Sequence, residues 1–219
     1  AMYLKGNDHV IEPNEIHSVT QETGDAGGIH TGRDWTWRGH VIRHNYWHHL
    51  KGPGVHGVTA VYLDDFSSGF SVTGNIFYRA GRAVQIAGGR DNLVANNLFV
   101  ECEPAVHVDA RGLSWAANYF DGRFPWMFER FQEMKADRPP YATRYPALKT
   151  ILRDDPAMPK GNRIVHNISW GGRWLDVYDY RVFDFARCVE MKDNLIADPR
   201  LWRRRAARAS LPEPYFLNI

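Results

Sequence analysis

The 219-residue chain is 44% hydrophobic, and its 27 basic and 25 acidic side chains leave a formal net charge of +2. This length and composition predict a single domain, 1–219, with a continuous apolar core. The nearly balanced charge argues against nucleic acid or a membrane surface as a partner, and no apolar run is long enough to cross a bilayer. Cys102 and Cys188 fit neither a disulfide framework nor a zinc motif and are interpreted as buried thiols.

A short phrase recurs along the chain: a branched aliphatic residue, two spacers, an asparagine and then apolar residues. Its asparagines are Asn14, Asn45, Asn75, Asn97, Asn167 and Asn194. A recurring unit of this kind predicts a stacked solenoid. Short runs alternate between apolar and polar residues, and no unit carries the two helical stripes that helical repeats need. We therefore predict an all-β fold, a right-handed parallel β-helix.

The recurring asparagine has two interpretations. Equivalent residues of stacked parallel coils lie about 4.8 Å apart, so an inward Asn can bond its amide to the Asn above and below. Asn also simply marks turns, because it tolerates left-handed backbone conformations. The matching apolar residues around all six positions favour the ladder.

Coils are predicted over about residues 7–112 and 163–197, with an insertion at 113–162 and a basic tail at 198–219. The aromatic-rich insertion is expected to be partly helical, with short helices at 123–135 and 146–153. Long loops in compact domains are usually functional. We therefore expect its aromatic residues, including Trp126, either to form the wall of a sugar-binding groove or to pack the insertion onto the solenoid.

The ends of the solenoid carry a separate expectation. The tail contains Arg203, Arg204, Arg205 and Arg208 and is interpreted as a cap, a docking segment or a truncated end. An uncovered coil end is an unpaired sheet edge. We therefore expect a homo-oligomer that forms through an uncapped coil end.

Two columns of side chains are predicted to point outward from one strand of each coil. The first column is His30, Tyr62, Gln85, His107 and Asp176, and the second is Gly32, Asp64, Ala87, Asp109 and Tyr178. Surface strands far from a site usually carry Thr, Ser, Lys and Glu. A face of His, Tyr, Gln and Asp with small residues between them indicates a binding or catalytic site.

Asp64 and Asp109 share a column two rungs apart, about 9–10 Å at the backbone. Carboxyl groups about 6.5–9.5 Å apart suit an inverting glycosidase, so the pair is the candidate acid and base, with Asp65 or Asp25 as substitutes. His107 and His30 are candidates to hold protons, and Tyr62 to position a sugar hydroxyl. The alternative is that these aspartates only terminate strands and cap turns.

Arg33 and Arg111 follow the same strand in two coils. A guanidinium group matches a carboxylate, so both are candidates to hold an acidic sugar, whereas Arg90 is interpreted as tying turns together. The histidines at 17, 44, 48 and 49 lack a third ligand at a convincing spacing. No metal site is predicted there, and Ca²⁺ on Asp64 and Asp65 is the one alternative.

The segments 22–28, 56–65 and 106–112 resemble bacterial parallel β-helix proteins of the pectate-lyase-like superfamily. Within it, they are most similar to the branch of fucosidase- and xylanase-type glycoside hydrolases. The resemblance covers about residues 7–197 and indicates a truncated member, because members usually have more coils. It implies a secreted or periplasmic protein that hydrolyses a polysaccharide or oligosaccharide. The alternatives are a lyase or epimerase acting on uronate-containing glycans, and a non-catalytic fragment that binds glycan or assembles with itself.

Overall fold

The computed structural model describes residues 2–197, and its strands form three parallel sheets. The predicted basic tail, 198–219, lies outside the described residues. Strands are numbered in chain order. Sheet 1 contains β1 (Met2–Tyr3), β4 (Ala26–Thr31), β7 (Val58–Leu63), β10 (Arg82–Ala87), β13 (Val106–Asp109) and β16 (Leu175–Val177).

The other two sheets are built in the same way. Sheet 2 contains β2 (Val10–Ile11), β5 (Val41–Arg43), β8 (Ser71–Thr73), β11 (Leu93–Ala95), β14 (Asn162–Val165) and β17 (Val189–Lys192). Sheet 3 contains β3 (Glu15–His17), β6 (Tyr46–His48), β9 (Ile76–Tyr78), β12 (Leu98–Cys102), β15 (Ile168–Gly172) and β18 (Leu195–Ala197).

Each group of three consecutive strands supplies one strand to each sheet, so that every strand pairs in parallel with the third strand after it. The described residues therefore form six stacked coils. This is the architecture of a parallel β-helix, and it confirms the predicted all-β class with parallel strands. None of the helices among residues 2–197 combines the length and the apolar character that a membrane crossing requires.

The interior is filled by the residues that alternate inward along each strand. In sheet 1 the inward column includes Ile29, Val61 and Val84, which are all fully buried. In sheet 3 the Trp47 ring stacks on Phe77 at 6.0 Å between centroids, and Phe77 stacks on Phe99 at 5.0 Å. Aliphatic side chains thus stack on aliphatic ones, and aromatic rings on aromatic rings, in successive coils. The core is therefore continuous along the solenoid.

The corner between sheets 2 and 3 is the most regular part of the chain. In five coils it has two residues, of which the second is the recurring asparagine. The first has a positive φ at His44 (56°), Gly74 (65°), Asn96 (57°), His166 (56°) and Asp193 (54°). Each of these five coils therefore turns here through one left-handed residue, a conformation that Gly and Asn adopt readily.

The asparagines at this corner form a hydrogen-bonded ladder. Asn75 donates its backbone N–H (2.9 Å) and its Nδ2 (3.0 Å) to Oδ1 of Asn97, and Asn97 donates in the same way to Asn167. These are the contacts that the ladder interpretation predicted. A second, shorter ladder, which the sequence analysis missed, joins Asn92 to Asn162 where sheet 2 begins.

The chain between β13 and β14 leaves the coils and forms short helices. These are α1 (Trp126–Glu133), α2 (Tyr141–Arg144) and four 3₁₀ helices, Arg111–Leu113, Ala117–Tyr119, Pro146–Lys149 and Ile151–Arg153. A third α-helix, α3 (Phe185–Cys188), precedes β17. Met127 and Phe131 of α1 are buried in a second apolar cluster with Trp35 and Phe66. The helical segment is thus packed onto the loops that follow β4 and β7.

His40 is a buried, uncharged histidine immediately before β5. Its Nδ1 accepts a hydrogen bond from the His9 backbone N–H (3.3 Å), and its Nε2 is buried without a partner among the described residues. Burial, followed by the charge of the neighbouring His9, lowers the pKa of His40 from 6.5 to about 4. Between these two pH values the unfolded chain binds a proton that the folded ring does not.

We therefore expect stability to fall as the pH is lowered from 6.5 to 4, by about 1.4 kcal/mol for each unit of the pKa difference. His40→Asn, which keeps an acceptor for the His9 N–H, should lose less stability over this range. Urea unfolding at several pH values measures the effect. His44→Asn, at an exposed histidine of the same coil, is the control. Equal pH slopes for wild type and His40→Asn would contradict the assignment.

Candidate functional site

The outward face of sheet 1 carries the first predicted column in register. His30 pairs with Tyr62, Tyr62 with Gln85, Gln85 with His107, and His107 with Asp176. Tyr3 of β1 extends the column by one coil beside His30. The alternation of apolar and polar residues in these strands is what places all of these positions on the same face.

The second column lies beside the first, and Ala87 pairs with Asp109 within it. Asp64 follows β7 and donates its backbone N–H to the Thr31 carbonyl (2.9 Å). The backbone of Gly32 packs closely on Asp64, since a Cβ on Gly32 would lie only 3.1 Å from the Asp64 carbonyl oxygen. Asp109 is buried, in contrast to the open column that the sequence analysis predicted, whereas the side chain of Asp64 keeps 15% of its surface exposed.

Arg111 is the centre of the polar face. Its Nε and Nη2 donate to Asp109 at 2.7 to 3.1 Å, and its Nη1 donates to Asp64 and Asp65 at 2.7 Å each. The guanidinium lies 4.9 Å from the centre of the exposed Trp115 ring. Arg111 was predicted to hold a sugar carboxylate, but it is buried and bound to three aspartates of the protein itself.

Histidines lie on both sides of this ion-pair cluster. His30 contacts Asp64 through Nε2 (3.1 Å), and its ring stacks on Tyr62 with centroids 4.6 Å apart. On the other side, His107 contacts Asp176 through Nδ1 (2.9 Å) and Asp109 through Nε2 (3.4 Å). The face therefore holds one continuous network of alternating acidic and basic groups.

The network keeps both candidate aspartates ionised. Burial raises the pKa of Asp109, but hydrogen bonds from His107 and Arg111 outweigh it, so this pKa lies below the ordinary value. Burial likewise opposes the effects of His30 and Arg111 on Asp64, whose pKa is also lowered. A lowered pKa suits a general base, whereas a general acid needs a raised one.

Most of the other predicted residues of this face form hydrogen bonds with neighbouring side chains of the protein itself. Tyr62 donates its hydroxyl proton to Asp25 (3.0 Å), and burial is the main reason why the pKa of Tyr62 is raised. Oδ2 of Asp65 accepts a hydrogen bond from Arg33 (2.6 Å). Gln85 is buried and accepts from Thr59 and Arg82. Of the predicted column residues, only Tyr178, in the last coil, is largely exposed.

A groove of about 680 Å³ lies beside the first-coil end of this face. Its lining includes the aromatic residues Tyr3, Trp37, Tyr119, Phe124 and Trp126 and the charged residues Lys5, Arg33, Asp34, Glu129, Arg130 and Glu133. Gly32 also lines it, and Arg33, with 59% of its side chain exposed, joins it to Asp65. The groove therefore borders the polar network at Asp64 and Asp65.

Of the groove residues, Gly32, Arg33 and the aromatic residues of the insertion, Trp126 among them, were predicted from the sequence to lie at the site. Tyr3 and Lys5 precede the first recurring asparagine and belong to no repeat that the sequence phrase marked. Trp37 lies in the loop between β4 and β5. The groove residues come from three separate segments of the chain, 3–5, 32–37 and 119–133, so only the folded structure brings them together.

The acidic residues of the face do not form a metal site. Among residues 2–197, no group of three or more His, Cys, Asp or Glu side chains is arranged to hold a metal ion. Asp64 and Asp65, the candidate Ca²⁺ ligands, are instead ion-paired with Arg111, and Asp65 also with Arg33.

Comparison with known proteins adds no relative. No protein-family model, no curated protein and no solved structure matches this chain.

Proposed function

We propose that the chain is a carbohydrate-active, right-handed parallel β-helix of the pectate-lyase-like type, which binds a polysaccharide along sheet 1. The observation that supports this most is the aromatic groove beside the polar face. Sugar rings present apolar faces that stack on aromatic side chains, and hydroxyl groups that need hydrogen-bond partners. The groove offers the former, and the neighbouring network of Asp, His and Arg offers the latter.

Exposed aromatic side chains in the groove support a polymeric ligand. Trp126 is 60% exposed at the start of α1, and Phe124 and Tyr3 are more than half exposed as well. Monomeric proteins seldom leave large aromatic faces together in water unless they bind something there. Lys5 lies over the rings of Tyr3 and Trp37, at 5.7 and 5.9 Å, and adds a positive charge.

The proposed reaction is hydrolysis of a glycosidic bond. Asp64 is the candidate base, because its lowered pKa keeps it ionised and it borders the groove through Gly32. The pairing of Asp64 with Asp109 as base and acid fits less well, since Asp109 is buried and held by Arg111. His30 lies 3.1 Å from Asp64, too close to act as the opposing acid of such a pair, so its proposed role is to orient the Asp64 carboxylate.

The two alternatives to hydrolysis, a uronate lyase or epimerase and a non-catalytic module, place different requirements on the site. A lyase or epimerase acting on uronates requires an accessible cation, and Arg33 and Lys5 of the groove meet this requirement better than the enclosed Arg111. A non-catalytic module requires only the groove, and the ion pairs that Arg111 forms with Asp64 and Asp109 are the observation in its favour.

The test is a panel of neutral and acidic polysaccharides, assayed for binding and for cleavage products. We expect Trp126→Ala to weaken binding up to about tenfold, because one stacking contact is worth about 0.5–1.5 kcal/mol. Tyr180→Ala, at an exposed tyrosine that does not line the groove, is the matched control and should bind normally. Equal affinity of the Trp126→Ala variant and wild type for every glycan would contradict the groove.

The same panel separates the reactions. Hydrolysis predicts new reducing ends, which Asp64→Asn should diminish by about a hundredfold if this residue is the base. A lyase predicts unsaturated products that absorb in the ultraviolet and that depend on Arg33. Binding without any product would support the non-catalytic module.

A further inference from the structure

Within residues 2–197, nothing covers the apolar core at either end of the solenoid. In the four middle coils the inward residues of sheet 1, such as Ile29 and Val106, are fully buried. Their equivalents in the first and last coils, Met2 and Leu175, are only partly buried. Sheet 3 repeats this pattern with Ile16 and Ile196, which face the core from the two terminal coils and are partly exposed. Each end therefore presents apolar surface that another coil would cover.

The asparagine ladder is unfinished at both ends in complementary ways. Each asparagine donates to Oδ1 of the next one, from Asn14 to Asn45 and finally from Asn167 to Asn194. Within residues 2–197, Oδ1 of Asn14 receives no donor, and the backbone N–H of Asn194 has no acceptor. The last coil thus offers the donor that the first coil lacks.

Charges at the two ends are also complementary in register. On the outer side of sheet 2, β2 to β5 pairing brings Glu12 next to Arg43, and the two side chains form an ion pair. The column of sheet 2 positions that begins with Glu12 and Arg43 ends at Lys192. Lys192 pairs with Val165 of the neighbouring strand and is largely exposed. A further coil stacked on β17 in this register would place its Glu12 beside Lys192.

We propose that a second copy of this chain covers the exposed apolar surface at each end. The last coil of one protomer stacks on the first coil of its partner. All strands are parallel and each coil follows the previous one by translation, so the two ends are different but matching surfaces. Such a head-to-tail contact is heterologous and leaves each pair with two free ends. The assembly is therefore an open stack and grows with concentration.

Stacking would also extend the polar face. The sheet 1 register places Asp176 of one protomer beside Tyr3 of its partner. It places Tyr178 of one protomer beside Lys5 of its partner, where the groove lies. The partner would thus complete one wall of the groove.

Analytical ultracentrifugation of the full chain over a range of concentrations tests the stack. We expect the average mass of wild type to rise with concentration without a plateau. Ile16→Lys at the first coil and Ile196→Lys at the last coil each block one end with a buried charge. Each variant alone should stay monomeric, whereas an equimolar mixture should form dimers and nothing larger, because only one competent pair of ends remains.

Ile168→Lys, at an exposed position of β15, which lies between β12 and β18 in sheet 3, is the matched control and should associate like wild type. Association abolished by Ile168→Lys and retained by both end variants would overturn the proposal and place the contact on sheet 3. A monomeric wild type at every concentration would also overturn it. If the end variants do not fold by circular dichroism, Glu12→Lys and Lys192→Glu replace them. Each should weaken association, and the double variant should restore it.

Discussion

Replacing Arg111 with methionine is expected to lower the free energy of unfolding by about 3–5 kcal/mol, the usual cost of removing one member of a buried ion pair. The guanidinium contacts Asp64, Asp65 and Asp109. Without it, three carboxylates lie close together in a largely buried setting with too little positive charge. Methionine keeps much of the side-chain volume, so the loss reports on charge rather than on a cavity. Chemical denaturation of both proteins at neutral pH measures it.

The pH dependence separates this explanation from a packing defect. In the wild type the pKa of Asp109 lies below its ordinary value, so its contribution to stability is present at neutral pH and is lost as the pH falls through the folded pKa. Without Arg111, burial and mutual repulsion should raise the carboxyl pKa values instead. The deficit of the Arg111→Met variant should therefore shrink as the pH is lowered towards about 4.

Arg79→Met is the matched control for this substitution. Arg79 is exposed, and its one ion pair within residues 2–197 is with Glu101, so its replacement should cost less than about 1 kcal/mol. A deficit for Arg111→Met that is as small as that of the control, or that stays constant with pH, would show that the cluster does not depend on Arg111.

Replacing Asn97 with alanine is expected to destabilise the fold by at least about 3 kcal/mol, since each buried polar group left without a partner costs about 1–3 kcal/mol. The change removes the acceptor for the backbone N–H and Nδ2 of Asn75. It also removes the donor to the Val72 carbonyl and to Oδ1 of Asn167, at 2.9 and 3.0 Å. Asn75 Nδ2 keeps two backbone acceptors and Asn167 Oδ1 keeps the backbone N–H of residue 97. The cost therefore falls on the Asn75 N–H and the Val72 carbonyl, which lie inside the solenoid, where water does not replace the lost side chain.

Asn14→Ala provides the comparison at the open end of the same ladder. Asn14 is exposed and its side chain makes one ladder bond, to Asn45. Its loss should cost less than about 1 kcal/mol in urea unfolding. Similar costs at Asn14 and Asn97 would mean that the ladder contributes little beyond the turn that each asparagine occupies.

The sequence predicted the coils well because their pattern is local and repeated. The six ladder asparagines and their apolar neighbours mark the same corner of each coil, and the order His30, Tyr62, Gln85, His107, Asp176 follows from strand alternation alone. Arg111 shows the limit. It lies two residues after Asp109, but its Nη1 also contacts Asp64 and Asp65, which belong to another coil. No periodicity encodes how far a side chain extends.

Burial of the polar face was unpredictable for a related reason. Alternation gives the direction of a side chain but not what lies above it. The chain after β13 packs on this side, so Arg111 and Trp115 cover carboxylates that the strands alone would leave open. The groove likewise depends on the contact of α1 with the loop after β4, a packing of distant segments that composition does not reveal.

The fixed two-residue corner between sheets 2 and 3 has an evolutionary consequence. The connections that border sheet 1 vary in length, and the one between β13 and β14 spans residues 110–161. Insertions and deletions are thus tolerated on both margins of the face that carries the polar residues, while the opposite corner admits none without breaking the ladder. We therefore expect a lineage with this fold to vary around sheet 1 and to keep the asparagine corner.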